Sequence, residues 1–87
     1  MAHTVIFKSI REVDLSRFQF PQVAVFNKPE DYPDKAVARV LDNGKPTNIV
    51  IIADDTKKLR DDIRKYTNLV CFGRGAEDVL ALECVYL

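Results

Sequence analysis

The sequence NIVIIADDTKKLRDDIRKY, residues 48–66, joins an apolar run to an amphipathic segment. Residues 49–53 are apolar without a break, which is typical of a buried strand. Further along, Leu59, Ile63 and Tyr66 recur at the i, i+4, i+7 spacing that places side chains on one face of a helix. The stretch therefore predicts a buried strand that runs directly into an amphipathic helix.

Two adjacent carboxylates, Asp54 and Asp55, stand between this predicted strand and helix. A carboxylate at the start of a helix accepts hydrogen bonds from amide N–H groups and faces the positive end of the helix dipole. Strand-end aspartates can also hold a metal ion that positions a phosphate. Because the spacing places no third acidic ligand beside them, we favour capping and expect no metal site and no cofactor. A small metal-dependent enzyme built on this pair is an alternative.

A β-hairpin is predicted just before this stretch, at Asn43-Gly44. Asn-Gly favours a type I′ turn, because both central residues of that turn need a positive φ. The turn predicts the register of the hairpin, with Asp42 opposite Lys45, Val40 opposite Thr47, Ala38 opposite Ile49 and Ala36 opposite Ile51. Alternation then assigns the side chains to two faces of the sheet.

The first face carries the small side chains, so the helix is expected to pack there: Ala36, Ala38, Val40, Ile49 and Ile51. The second face has no helix to cover it: Val37, Arg39, Leu41, Val50 and Ile52. Residues 1–21, with Phe18 and Phe20, either fold over this second face or join the sheet edge. If they join the edge, the face stays apolar, and a homodimer through the sheet is the commonest resolution.

Other strands are predicted from β-branched and aromatic runs at residues 3–9, 23–26, 69–72 and 79–87, with a helical turn after Asp14. The last run is apolar except at Glu83, which predicts a central strand. The expected fold is a single α+β domain over residues 1–87. It has an antiparallel sheet of about five to six strands with one main helix packed on one face.

Composition narrows the possible functions. The chain has 87 residues, with 13 Lys and Arg balancing 13 Asp and Glu. Nucleic-acid binders usually carry a basic excess, so nucleic acid is not the favoured partner. A nucleic-acid-binding protein is a further alternative, using the basic helix residues Lys57, Lys58, Arg60, Arg64 and Lys65. Against it, Asp61 and Asp62 interrupt that face.

The sequence offers little material for catalysis, and we expect no catalytic residue. It has one histidine, His3, and two cysteines within apolar runs. Cysteines in such settings usually behave as small hydrophobes. A turn near Gly75 would place Cys71 opposite Leu80, away from Cys84, which predicts two free thiols and an inert Cys71.

The favoured function is a small, stand-alone, non-catalytic binding or regulatory protein that acts through protein–protein contacts. Its predicted interaction surface combines Arg39, Val50 and Ile52 of the second face with Tyr32 and Asp34, two residues of an acidic loop. Arg39 is expected either to pair with an acid such as Glu83 or to lie at an interface, where arginine is enriched. The chain contains no membrane-spanning run, so a cytoplasmic location is expected.

Overall fold

The computed structural model describes residues 4–73 and 82–87. The strands are β1 Val5–Phe7, β2 Pro21–Asn27, β3 Ala36–Asp42, β4 Lys45–Ala53, β5 Cys71–Gly73 and β6 Leu82–Tyr86. The helix α1 is Thr56–Tyr66, and two 3₁₀ helices are Ile10–Glu12 and Leu15–Arg17. The six strands form one sheet in the order β1-β4-β3-β2-β6-β5, antiparallel except for the parallel pair β1–β4. The predicted α+β fold, with a mostly antiparallel sheet and one main helix, is confirmed.

The predicted turn between β3 and β4 is present. Asn43 and Gly44 have φ values of 53° and 79°, as a type I′ turn requires, and Asp42 pairs with Lys45. Beyond the turn, the predicted register is wrong by two residues. Ala38 pairs with Ile51 and Ala36 pairs with Ala53.

Thr47 accounts for this shift. Its hydroxyl donates to the carbonyl oxygen of Val40 at 2.7 Å and accepts from the amide of Ile49 at 3.2 Å. The Thr47 hydroxyl thus takes the place of a backbone group in the hydrogen-bond ladder between β3 and β4, and β4 has a bulge at this position. Because two residues are displaced, every side chain keeps its predicted face, and α1 packs on the first face as expected.

The main core lies between α1 and the first face. It contains Ile10, Val23, Val25, Ala36, Ala38, Val40, Ile51, Leu59, Ile63, Cys84 and Tyr86. Alanines at two β3 positions leave room for Leu59 and Ile63. Tyr66, the third member of the predicted stripe, is 43% exposed, and its ring is approached by the charged ends of Lys65 and Arg11.

The segment before β2 lies on this same first face. Its 3₁₀ helices are capped by Ser9 and Asp14, and Ile10 and Phe18 pack against the core. Phe20 is 68% exposed. The described part of residues 1–21 therefore joins the sheet edge through β1 and does not cover the second face.

The middle of the second face is buried nonetheless. Ala24, Val37, Val50 and Leu82 are buried outside the core under α1. The loop 28–35 lies on this side, since Asp31 binds Arg39 of β3, and Pro29 of the same loop is buried. The connection between β2 and β3 thus supplies cover on the second face, which was one of the two roles considered for residues 1–21.

The last strand is internal, as predicted, since β6 lies between β2 and β5. Its pairing with β5 differs from the prediction: Cys71 faces Tyr86, not Leu80. Leu80 and the other predicted strand residues before position 82 lie outside the described residues. Among the helices of residues 4–73 and 82–87, none has the length and apolarity that crossing a membrane requires.

Candidate functional site at the β5 end of the sheet

Asp54 and Asp55 have separate structural roles. Asp55 is the N-cap of α1, and its carboxylate accepts from the amide of Lys58 at 2.9 Å. Asp54 accepts from the ammonium groups of Lys35 at 2.8 Å and Lys58 at 3.3 Å. These hydrogen bonds, first that of Lys35, hold the pKa of Asp54 below its usual value.

This arrangement gives no support to a metal site at the start of α1. Both oxygens of the Asp54 carboxylate already have ammonium partners, and Asp55 is used by the helix. Within residues 4–73 and 82–87, no three acidic, histidine or cysteine side chains lie close enough together to hold a metal ion.

Three basic side chains of α1, those of Lys58, Arg60 and Lys65, point in different directions. Lys58 turns to Asp54, whereas Arg60 donates to Glu83 of β6 at 2.9 Å. Lys65 lies over the ring of Tyr66, with its ammonium group 5.3 Å from the ring centroid. A nucleic-acid backbone needs several cations along one surface, and Lys58, Arg60 and Lys65 do not share one.

The predicted interaction surface lies on one side of the sheet. Arg39, Val50 and Ile52 share the second face, and the loop that carries Tyr32 and Asp34 lies over it. Val50 is only 2% exposed, however, and it offers a partner almost no area.

The partner of Arg39 differs from the one considered above. Its guanidinium donates to the Asp31 carboxylate, while Glu83 pairs with Arg60. Because the bulge in the β2–β6 pairing comes at this point of β6, Glu83 reaches the helix side of the sheet. Arg39 therefore holds the loop in place over the second face.

An exposed apolar surface, which the sequence did not lead us to predict, lies at the β5 end of the second face. Val70 is 60% exposed, Phe72 53% and Leu87 48%. Val70 and Leu87 exchange two backbone hydrogen bonds of 3.0 Å, and Phe72 pairs with the half-buried Val85. These four residues form a contiguous surface, here called the β5 patch.

The β5 patch lies beside the outer edge of β5, which pairs with β6 alone among residues 4–73 and 82–87. In an antiparallel ladder, hydrogen-bonded and non-hydrogen-bonded pairs alternate. Val70 and Leu87 are a hydrogen-bonded pair, so the next pair, Cys71 with Tyr86, is not. The N–H and C=O groups of Cys71 therefore point away from β6, towards the outer edge of the described sheet.

On the first face, the same end of the sheet borders a cleft of about 430 Å³. It is lined by Arg60, Arg64, Leu69, Val70, Cys71 and Tyr86. Both cysteines are free thiols; Cys71 is exposed, contrary to the core position expected for it, and Cys84 is buried. Burial, and then the neighbouring Cys71 thiol, raise the pKa of Cys84 to about 11. His3, the one histidine of the sequence, lies outside the described residues.

The apolar run Leu69–Phe72 looked like a buried strand because its exposure depends on a distant pairing. Only the position of β5 beyond β6 makes Phe72 an edge residue. The signal in the sequence was the alternation of side chains along each strand. Once the register is known, this alternation places Val70 and Phe72 on the same face as Val85 and Leu87.

No family model, curated protein or solved structure matches this chain.

Proposed function

We propose that the chain is a small non-catalytic binding protein that acts through protein–protein contacts, with the β5 edge and the β5 patch as its binding surface. The observation that carries this proposal is the exposure of Val70, Phe72 and Leu87, which is 48–60% beside the outer edge of the described sheet. Contiguous exposed apolar surface marks interaction sites, and aromatic residues are enriched at interface cores. An open edge also offers backbone hydrogen bonds to an added strand.

The partner in this proposal is a second copy of the chain. Two β5 strands paired antiparallel about a two-fold axis at Phe72 would bring the two Phe72 side chains together across the axis. The outward N–H and C=O groups of Cys71 would meet Gly73 of the partner subunit. Such a contact uses the same surface on both copies, as two-fold dimers do. With 13 cationic and 13 acidic residues, two copies have no net charge to repel one another.

The proposal includes a cytoplasmic location. Cys71 and Cys84 are both free thiols. Reducing compartments keep thiols in that state, and an exposed thiol at an interface edge is tolerated best there.

Sedimentation equilibrium tests the proposed dimer. We expect the average mass of the 9.9 kDa chain to rise towards that of two chains. The rise should come between about 5 and about 500 µM, because a short interface of this kind gives micromolar affinity. Phe72→Glu should keep the mass of one chain, because it would place two like charges together at the two-fold axis.

The matched control is Phe20→Glu, which makes the same change at a phenylalanine that is 68% exposed outside the β5 patch. This variant should associate as the wild type does. A wild-type mass of one chain across the whole range would overturn the second copy as partner. Unchanged association of Phe72→Glu would overturn the β5 edge as the surface.

A further inference from the structure

The cleft between α1 and β5 has the chemistry of a site for a small anion. Arg60 and Arg64 are four residues apart on α1, so their side chains project on the same side of the helix. Together they line a cleft of about 430 Å³ with Leu69 and Tyr86. That volume lies in the range of about 300–1,000 Å³ found for small-molecule sites.

Arg60 is held in place within this cleft. Its guanidinium donates to the Glu83 carboxylate at 2.9 Å, which fixes the plane of the group. The Nε atom of Arg60 is buried and finds no acceptor in the part of the chain that the structure describes. A buried donor without an acceptor is unfavourable.

Arg64 supplies positive charge that Glu83 does not balance. Among residues 4–73 and 82–87, the cleft has two guanidinium groups against one carboxylate, a local excess of one positive charge. Guanidinium groups bind carboxylate and phosphate through paired N–H donors. Leu69 and Val70 add apolar lining beside them.

We propose that this cleft binds a small organic anion, with a carboxylate or phosphate held by Arg60 and Arg64 and an apolar body against Leu69. The site opens on the first face and shares only Val70 with the β5 patch, whose other residues lie on the second face. The inference does not depend on the proposed dimer.

Cys71 provides a reporter within the cleft, because it is exposed and lines the site while Cys84 is buried. Dithiobis(nitrobenzoate) is an aromatic disulfide with a carboxylate on each ring. The Cys71 thiolate attacks one sulfur of the reagent, forming a mixed disulfide and releasing one thionitrobenzoate anion, while the thiol proton goes to solvent. Dithiodipyridine reacts in the same way without a carboxylate.

The first experiment compares the rates of both reagents at a protein concentration where Phe72→Glu is a single chain, using that variant as the background. Adding Arg64→Gln should slow the carboxylate reagent about fivefold, since a positive cleft raises the local concentration of an anion. The rate with dithiodipyridine should stay the same. Cys71→Ser should abolish the fast reaction with both reagents.

The control is Lys65→Gln, which removes the same charge from the next residue of α1. Lys65 lies outside the cleft, over the ring of Tyr66. This variant should change the rate of either reagent less than twofold. If Arg64→Gln slowed both reagents equally, or neither, the anion site would be overturned.

The second experiment measures protection of Cys71 from dithiodipyridine by benzoate, phenyl phosphate and inorganic phosphate. We expect saturable protection by the two aromatic anions, lost in Arg64→Gln, and weaker protection by inorganic phosphate. Whichever aromatic anion binds more tightly identifies carboxylate or phosphate as the preferred group. Lack of saturable protection by all three at about 10 mM, a concentration that detects even millimolar affinity, would contradict the proposal.

Discussion

At the residue scale, Asp54 and Asp55 show how neighbouring carboxylates of the same chemistry acquire different roles. Asp55 has the extended backbone of an N-cap, with φ −150° and ψ 167°, so its carboxylate turns back to an amide of the first helical turn. Asp54 precedes it and meets only the exposed ammonium groups of Lys35 and Lys58. Exposed ion pairs of this kind contribute little to stability.

We therefore predict that Asp55→Ala lowers the free energy of unfolding by about 1–2 kcal/mol, the usual loss for a helix cap. Asp54→Ala is the matched control, and its loss should be clearly smaller. Urea unfolding followed by circular dichroism measures both. Equal losses for the two variants would show that Asp55 does not stabilise α1 as a cap.

Local features of this kind could be predicted from the sequence. The cap before α1, the Asn43-Gly44 turn and the helical turn after Asp14 each depend on residues within about four positions of one another, so short-range chemistry determines them. The partner of Arg39 could not be predicted in this way. It depends on where the loop 28–35 crosses the sheet, which no local rule gives.

At the element scale, two hydrogen bonds to Asp62 of α1 connect the first 3₁₀ helix and its N-cap to α1. The carboxylate of Asp62 accepts from the hydroxyl of Ser9 and from the amide of Ile10, both at 2.6 Å. Ile10 is buried in the core. The position of the N-terminal segment on the first face is therefore coupled to the orientation of α1.

We predict that Asp62→Ala destabilises the protein by about 1–3 kcal/mol, because the amide of Ile10 loses its acceptor in a buried setting. Hydrogen exchange at the Ile10 amide should become much faster. Asp61→Ala, at an exposed position one residue earlier, should change stability by less than about 0.5 kcal/mol. Slow exchange at Ile10 in Asp62→Ala would contradict the role of this contact.

Element positions could be predicted less well than element types. The parallel pairing of β1 with β4 and the placement of β5 outside β6 join residues far apart in sequence. Periodicity assigns a face to each residue but does not choose between neighbouring strands. The β5 patch and the cleft between α1 and β5 follow from those choices, so the candidate site was not predictable from local patterns.

At the scale of the whole molecule, the stability should depend on pH in the alkaline range. The pKa of Cys84 rises from 9.0 to about 11, chiefly by burial, and burial raises the pKa of Tyr86 from 10.0 to about 12. The unfolded chain loses these protons first. The stability that the protonated Cys84 thiol contributes is thus complete below pH 9 and is lost as the pH rises through 11.

We predict that the melting temperature falls steeply between pH 9 and pH 11. These limits are the ordinary pKa of the Cys84 thiol, which applies to the unfolded chain, and its raised pKa in the folded protein. Cys84→Ala should melt lower at neutral pH, because it leaves a small cavity, but with a shallower slope over this alkaline interval. Differential scanning calorimetry at several pH values compares the two slopes. Parallel slopes would show that ionisation of Cys84 is not linked to unfolding.

The strand order also bears on the order in which the strands can pair during folding. β2, β3 and β4 are neighbours both along the chain and in the sheet, so their pairings close short loops and can form early. β6, the last strand, must then travel back to pair with β2, as Val23 with Tyr86 shows. Until it arrives, a newly made chain presents the edge of β2, with Val23 and Val25 beside it, to other chains. We therefore expect that the rate at which β6 pairs, as well as the final stability, governs how much of the newly synthesised protein escapes aggregation.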